Sequence, residues 1–190
     1  MFEEIKLSIL IPSIPSRFKM FERLFERIND QASKSDIVVE VLGLFDNKKR
    51  SIGHKRDALV QMSKGEYVCF CDDDDDVSLD YVESLLEGIK HNPDVVCFKQ
   101  RSIINGDECI VDFDIKNENN EFKKDEIVQR KPFHVCAFKG KIARKHRFND
   151  SNYGEDWQWC ELVLKDVKTQ YKIDKIIHTY VFDSEVTEAL

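Results

Sequence analysis

Five consecutive aspartates follow a short apolar segment, and this arrangement constrains the chain more than any other feature. The aspartates occupy positions 72–76, and the segment Tyr67-Val68-Cys69-Phe70 precedes them with Cys71 in between. An apolar run of this length beside polar residues predicts a buried strand. Because neighbouring carboxylates repel one another, a run pinned to the end of a strand needs a cation nearby. The alternative is a solvated acidic loop, but the position of the run favours a metal-linked functional site.

The cation that suits this run is a hard divalent ion. Carboxylate oxygens are the ligands that Mg²⁺ and Mn²⁺ prefer in proteins. In open α/β sheets, ligands also collect at the carboxyl ends of the strands, which is where the run lies. We therefore expect Mn²⁺ or Mg²⁺ as the cofactor.

Composition and charge exclude several classes of protein. The net charge of −7 and the lack of a basic stripe argue against nucleic-acid binding. The N-terminal residues show no secretory pattern, and no stretch approaches the ~20 apolar residues of a transmembrane segment. The six cysteines form no CxxC pair, so we expect reduced, mostly buried thiols in a cytoplasmic protein.

The first half of the chain alternates between apolar strands and helices. Strands are predicted over residues 6–12, 37–45, 67–71 and 95–104, and helices over residues 17–32, 52–64 and 78–91. Gly65 is predicted to stop the second helix, and Ser78 to cap the third. This alternation is typical of an α/β fold with a parallel sheet and covering helices.

The second half has a different pattern. Asn105-Gly106 predicts a hairpin after the fourth strand. Residues 112–131 are polar without a clear period, which predicts a long loop. Further elements are predicted as strands over residues 134–139, 169–173 and 176–182 and a helix over residues 155–168.

Several motifs together resemble the signature of family 2 glycosyltransferases of the GT-A fold. Arg56 is followed nine residues later by Gly-Glu-Tyr, then by a strand that ends in Asp-x-Asp-Asp from Asp72. Downstream, residues 154–157 (Gly-Glu-Asp-Trp) resemble the family's Glu-Asp motif at the start of a late helix. The resemblance covers about residues 6–182, and the chain departs from it at Asp57, where the family usually has Asn.

The resemblance implies the fold and the reaction. The fold would be a single-domain, Rossmann-like GT-A fold over residues 1–190, with a mixed, mostly parallel sheet flanked by helices. Residues 1–104 would form the nucleotide-sugar-binding half and residues 105–190 the acceptor-binding half. The reaction would be an inverting, metal-dependent transfer of a sugar from a nucleotide-diphospho-sugar, UDP-sugar being favoured, to a hydroxyl of a glycan or other acceptor.

The resemblance also assigns roles to residues on the donor side. Asp74 would coordinate the metal, and His178 would be an additional metal ligand or a structural histidine. Asp46 would hold the nucleobase, since its carboxylate can accept the N3–H of a pyrimidine. The remaining predicted donor-binding residues are Pro12, Ser13, Lys55, Arg56, Asp72 and Asp73.

The catalytic carboxylates are predicted at the start of the late helix. Asp156 would be the general base, in a position where the helix dipole favours a negative charge. Glu155 would bind acceptor hydroxyls or cap the helix. His134 and Trp157 would contact the acceptor or belong to the core.

Three other interpretations of the chain's function remain open. A haloacid-dehalogenase-type phosphatase would use Asp73 and Asp75 as its nucleophile motif, although that motif normally lies on the first strand. A nucleotidyltransferase would need a glycine-rich loop after the first strand, and residues 11–16 contain no glycine. A nucleotide-sugar-binding protein without transferase activity is the non-enzyme alternative.

Overall fold

Strand β1 (Leu7–Ser13) is buried along its whole length, and the other elements are arranged around it. The computed structural model describes residues 4–183. β1 pairs in parallel with β2 (Val39–Phe45) on one side and β3 (Tyr67–Phe70) on the other. Helices α1 (Phe18–Ser33) and α2 (Ile52–Met62) make the two connections. This is the predicted strand–helix alternation, and it brings the carboxyl ends of three strands to one edge.

The sheet continues beyond β3 with strands of mixed direction. The elements after β3 are β4 (Asp76–Val77), α3 (Tyr81–Lys90), β5 (Val95–Ile104), β6 (Asp107–Phe113), β7 (Ile127–Arg130), β8 (Ala137–Lys139), α4 (Gly140–Ala143), α5 (Glu155–Val163) and β9 (Gln170–Phe182). The strand order is β2-β1-β3-β8-β5-β6-β7, and β9 pairs in parallel with β5 and antiparallel with β4. The predicted mixed sheet flanked by helices is confirmed. The predicted domain also includes residues 1–3 and 184–190, which lie outside the described part.

The hairpin prediction is confirmed. β5 and β6 pair antiparallel up to Ile104 and Asp107. Asn105 and Gly106 make the turn with positive φ values of 50° and 85°. A two-residue turn with two positive φ angles matches the twist of the flanking strands, which explains the preference for Asn-Gly.

The predicted loop over residues 112–131 is wrong in part. β6 extends to Phe113, and β7 lies inside the segment, where it pairs in parallel with β6. β7 has only four residues and one buried side chain, Val128, so its local sequence carries little strand signal. The strand forms because β6 presents an edge to it.

Other element boundaries also differ from the predictions. The third helix begins at Tyr81 after the N-cap Asp80, because Ser78 instead bonds through its N–H to Ile177 O and through its hydroxyl to Asp80. The two predicted closing strands are one strand, β9, with an irregular register against β5 near Lys99. The late helix ends at Val163 rather than at residue 168.

Two further observations concern the cysteines and the helices. All six cysteines are free and buried. Among the described residues, no helix is both long and apolar enough to cross a membrane.

Gly65 does not stop α2, which ends at Met62 with Ser63 as its C-cap. Ser63 is already extended, with φ −60° and ψ 143°. Gly65 is buried against β1, and a Cβ there would lie 2.5 Å from Ser8 N and 2.6 Å from Tyr67 O. The position therefore needs glycine for close packing of two backbones.

Replacing Gly65 by alanine should destabilise the protein. The added methyl group meets backbone atoms that cannot move independently, so we expect the free energy of unfolding to fall by about 1–3 kcal/mol. Urea unfolding followed by circular dichroism measures this change. Lys64→Ala is the matched control, since Lys64 is exposed and its loss should cost no more than about 0.5 kcal/mol. Equal stability of the two variants would contradict the packing role.

Candidate functional site

The carboxyl ends of β1 and β3 and the first turn of α5 border one cleft of about 1010 Å³. Pro12 comes from β1, Asp72 and Asp74 from the turn after β3, and Asp156 from α5. Residues predicted separately as donor-binding, metal-binding and catalytic therefore line the same space. This convergence follows from the parallel pairing of β1 and β3, which places their ends side by side.

Arg56 on α2 connects the turn after β3 to the start of α5. Its Nη2 donates to both carboxylate oxygens of Asp72 at 2.8 Å, and its Nη1 donates to Glu155 Oε1 at 2.7 Å. The same Nη1 lies 3.4 Å from Asp156 Oδ2. Arg56 is 5% exposed, so these contacts form away from bulk water. One buried cation thus fixes two carboxylates of the late helix relative to the first aspartate of the run.

These contacts shift the pKa values of the groups involved. Burial alone would lower the pKa of Arg56 and raise that of Asp72, but their mutual attraction outweighs burial in both. The pKa of Arg56 is therefore raised, and that of Asp72 lies well below its usual range. Burial raises the pKa of Glu155, against the opposing charge of Arg56. Asp72 consequently remains ionised at neutral pH, as its ion pair with Arg56 requires.

Asp73 borders the cleft and holds the end of β1. Its carboxylate accepts a hydrogen bond from Ser13 Oγ at 2.6 Å and one from Arg17 Nη1 at 2.9 Å. Both Asp73 and Ser13 are buried. The two predicted donor-binding residues therefore bind each other, and Arg17 joins them.

Asp74 lies in the cleft with its charge only partly compensated. Its Oδ2 lies 3.2 Å from Arg17 Nη2. Burial and the charges of Asp72 and Asp75 nevertheless raise the pKa of Asp74 to about 7. A carboxylate whose pKa is raised in this way gains from a cation beside it, since a nearby positive charge favours the ionised form.

His178 does not lie with Asp74. Its Nε2 is 3.2 Å from Asp75 Oδ2 and 3.6 Å from Cys71 Sγ. All three side chains are buried, and their ligand atoms lie within 4.8 Å of one another, which makes them a possible metal site within residues 4–183. The predicted pair of metal ligands, Asp74 and His178, is thus divided between two places.

The two places suit different ions. Asp74 offers hard carboxylate oxygen at an open cleft, which fits Mg²⁺ or Mn²⁺ with further oxygens from a ligand and water. The group of Cys71, Asp75 and His178 includes a thiol whose pKa is raised well above its usual value, mainly by burial. A neutral thiol is a poor ligand for a hard ion. Asp74 therefore fits the expected cofactor better than His178 does.

Asp46, the residue directly after β2, forms an ion pair with Lys55 of α2. Lys55 Nζ lies 3.2 Å from Asp46 Oδ1 and donates to Ser13 O at 3.2 Å. The backbone N–H groups of Lys48 and Arg50 also donate to Asp46. Although burial opposes the shift, these bonds lower the pKa of Asp46. Lys55 is almost fully buried, its charge compensates Asp46, and its side chain does not border the cleft.

Asp156 is positioned by a turn that requires glycine. Gly154, the N-cap of α5, has φ +72°, a conformation that side chains rarely adopt. Asp156 Oδ1 accepts the N–H of Trp157 at 2.7 Å. Its Oδ2 lies 3.7 Å from His134 Nδ1. The carboxylate thus faces the cleft between Arg56 and His134.

The two tryptophans of α5 have separate surroundings. Trp159 is buried, stacks on Phe148 with ring centroids 4.6 Å apart, and packs edge-on against Phe70. Trp157 is 42% exposed and lines the cleft, as Tyr153 does. Trp159 therefore anchors the helix in the core, and Trp157 borders the site.

Arg17 and Tyr180 are among the cleft residues that sequence reasoning missed. Arg17 is the basic residue in the turn between β1 and α1, next to the ends of the strands, and this placement was the available signal. Tyr180 comes from β9, far from the motifs, and no local pattern indicated it. Burial and the nearby charges of Asp75 and Asp72 raise the pKa of Tyr180 to about 12.

Comparisons with known proteins agree with this architecture. A family model described as "Glycosyl transferase family 2" matches residues 25–150. No curated protein matches the chain by sequence. Among solved structures, S. aureus TarS 1-349 in complex with UDP-GlcNAc is 12% identical with a TM-score of 0.65, over 95% of this chain and 59% of that one.

Two further structures of the same protein are similar to the chain. TarS 1-349 in complex with UDP is 13% identical, with a TM-score of 0.66 over 95% of this chain and 62% of that one. For the longer S. aureus TarS chain, the sequence identity is 13% and the TM-score is 0.66, over 93% of this chain and 37% of that one. The chain thus spans about three fifths of TarS 1-349, and the likeness concerns the GT-A fold.

Replacing Arg56 by methionine should strongly destabilise the protein. Methionine keeps much of the volume but leaves Asp72 and Glu155 without their cation, and breaking such a buried pair costs about 3–5 kcal/mol. Thermal and urea unfolding measure the loss. Arg147→Met is the matched control, because Arg147 pairs with Asp57 at an exposed site and should change stability far less. A small effect of Arg56→Met would mean that the carboxylates do not depend on this residue.

Proposed function

Since the chain belongs to glycosyl transferase family 2, we propose that it transfers a sugar from a nucleotide-diphospho-sugar to a hydroxyl group of an acceptor. The observation that carries this proposal is the contact of Arg56 with Asp72 on one side and with Glu155 and Asp156 on the other. It joins the donor-side turn to the candidate base within one cleft. A donor and an acceptor could therefore meet there.

We assign the donor to the cleft beside the ends of β1 and β3. Arg17 and Arg56 place positive charge on this side, which suits a diphosphate. The UDP-bound forms of TarS support UDP as the nucleotide. Asp46 accepts from Lys48, Arg50 and Lys55, and a carboxylate has about four acceptor positions, so capacity for a uracil N3–H remains.

We further propose that one half of the chain binds the donor and the other half binds the acceptor. Residues 1–104 supply Pro12, Arg17, Arg56 and the acidic run on the donor side. Residues 105–190 supply Asp156 and the side chains around it. The described residues therefore suit a donor-binding half and an acceptor-binding half.

Asp74 would hold Mg²⁺ or Mn²⁺, together with oxygens of the diphosphate. When bound, the ion neutralises charge that develops on the leaving diphosphate. Arg17, 3.2 Å from Asp74, adds a fixed positive charge on the same side. Arg56 keeps Asp72 ionised and in place without blocking Asp74.

Asp156 acts as the general base of a single-displacement, inverting transfer. It takes the proton of the acceptor hydroxyl while the oxygen forms a bond to the sugar and the bond from the sugar to the diphosphate breaks. Glu155 is unsuited to this role, because it is buried and bonded to Arg56 at 2.7 Å. Glu155 instead positions Arg56.

The geometry gives little support to a phosphatase of the haloacid-dehalogenase type. Its nucleophile motif would fall on Asp73 and Asp75. Asp75 is fully buried, and Asp73 is bonded to Ser13 and Arg17. A binding protein without transferase activity differs from the proposed enzyme in one measurable way, since only the enzyme releases UDP from a UDP-sugar.

Asp74→Asn should remove the metal dependence of UDP binding. We expect Mn²⁺ to strengthen the binding of UDP to the unmodified protein, and to have little effect on the variant, whose turnover should fall about 10²–10³-fold. Calorimetry with UDP, in Mn²⁺ and in chelator, measures the effect. Asp76→Asn is the control, because Asp76 pairs with Arg27 at the edge of the run. If Asp75→Asn rather than Asp74→Asn removed the metal effect, the ion would lie at Asp75 and His178.

Asp156→Asn should abolish most of the transfer and leave the affinity for UDP within a few-fold. The amide keeps the shape but cannot take the proton, and a positioned base contributes about 10²–10⁴-fold in rate. Release of UDP from UDP-GlcNAc and other UDP-sugars, with and without acceptors, measures turnover. Glu161→Gln on the exposed side of α5 should behave like the unmodified protein. Loss of UDP binding without loss of turnover would assign Asp156 to the donor site.

A further inference from the structure

A second cavity, of about 300 Å³, adjoins the cleft on the side of the second half of the chain. One wall is a face of the sheet, with alternate residues of β5, β6 and β7 pointing inward. Val111, Phe113 and Val128 belong to this wall, and Phe122 and Val135 lie at its other sides. The cavity is therefore mostly apolar, with the composition typical of small-molecule pockets.

The cavity and the cleft meet at the candidate base. Asp72, Phe133, Asp156 and Tyr180 line both spaces. A molecule whose hydroxyl lies at Asp156 could thus extend its remaining atoms into the cavity. The donor side of the cleft stays free, because its residues Pro12, Arg17 and Asp74 border the cleft alone.

A buried histidine marks the polar end of the cavity. His134 lines the cavity, is 5% exposed, and neither of its ring nitrogens has a hydrogen-bond partner within the described structure. Its Nε2 lies 3.5 Å from Asp72 Oδ2, and its Nδ1 lies 3.7 Å from Asp156 Oδ2. A buried polar group without a partner is costly, so a ligand hydroxyl between His134 and Asp156 would be stabilised there.

Most of the other polar side chains of the cavity have protein partners. Gln100 donates to Ser102 Oγ at 2.9 Å, and Arg130 donates to Asn120 O. Asp75, which also borders the cavity, has its Oδ2 3.2 Å from His178 Nε2, but its carboxylate oxygens make no hydrogen bond within the described structure. Away from His134, Asp156 and Asp75, the cavity thus offers mainly apolar contact.

From this arrangement we infer that the acceptor is an amphipathic alcohol: a hydroxyl group at Asp156 and His134, attached to an alkyl or aryl body that fills the cavity. This inference rests on the proposed transferase function and specifies its acceptor class. A cavity of ~150 Å³ with apolar walls is enough to bind benzene. The space here accommodates a body of about twice that size, such as a short alkyl chain.

A fully polar glycan is the competing acceptor, and it would use different residues. Tyr153 is 91% exposed and Trp157 42% exposed at the outer rim of the cleft, where aromatic faces could contact sugar rings. Such an acceptor would leave the apolar cavity unused. The apolar cavity next to the base favours the amphipathic acceptor, and an experiment can separate the two.

The test compares two glycosides that share one polar head. Octyl β-glucoside, kept below its micelle-forming concentration, and methyl β-glucoside are titrated by calorimetry into the protein loaded with UDP and Mn²⁺. We expect the octyl glycoside to bind at least tenfold more tightly, because its chain leaves water for the cavity. Val128→Phe and Val111→Phe fill the cavity from two strands, and each should reduce this preference at least tenfold. Binding of UDP to each variant checks that it is folded.

Ile127→Phe is the matched control for Val128→Phe. Ile127 lies on the same strand but is 63% exposed, so the same added ring enlarges the outside of the protein and should leave the preference unchanged. Tyr153→Ala tests the competing surface and should also leave it unchanged. Equal affinity for the two glycosides overturns the inference. The inference is also overturned if Tyr153→Ala removes the preference for the octyl glycoside while Val128→Phe and Val111→Phe keep it. Failure of the transferase proposal is seen separately, as absence of UDP binding or of UDP release from any UDP-sugar.

Discussion

The guanidinium group of Arg56 contacts carboxylates from two distant parts of the chain, and the geometry of the cleft depends on these contacts. Asp72 follows the third strand, whereas Glu155 and Asp156 begin the last helix. Burying these charges costs desolvation energy that their attraction roughly offsets, so the cluster contributes little net stability. Its effect is positional, because an arginine with fixed donor directions leaves few arrangements for three carboxylates. Arg56 thus holds the donor side and the candidate base close together, while Trp159 anchors the same helix in the core.

The acidic run is tolerated because its members do not share one environment. Successive side chains point in different directions from the turn after β3, and each finds its own surroundings. The partners are Arg56 for Asp72, Ser13 and Arg17 for Asp73, Arg17 for Asp74, His178 for Asp75 and Arg27 for Asp76. Burial and the neighbouring charges raise the pKa of Asp73, Asp74 and Asp75, and Asp74 is the most exposed of these three side chains. Part of the repulsion within the run therefore falls on a carboxylate in the cleft that a cation could reach.

Sequence reasoning predicted those features that are encoded locally and missed those that depend on distant contacts. The alternation of β1 to β3 with α1 and α2, the hairpin at Asn105 and the acidic turn all follow from short patterns. β7 was missed because it forms against an edge supplied by β6. The burial of Lys55 and the neighbours of His178 depend on how the strands pack, which no local pattern encodes. The apolar cavity was missed for the same reason, since three strands build it together.

The pairing of β4 with β9 implies an order of events while the protein is being made. Val77, directly after the acidic run, pairs with His178, about 100 residues later in the chain. Until β9 has left the ribosome, β4 has no partner strand and Asp75 lacks its contact with His178. Contacts over such separations form late, because closing a long loop must precede any gain from them. The nascent chain therefore carries an acidic segment without its final shape, and this segment would reach that shape only when β9 is in place.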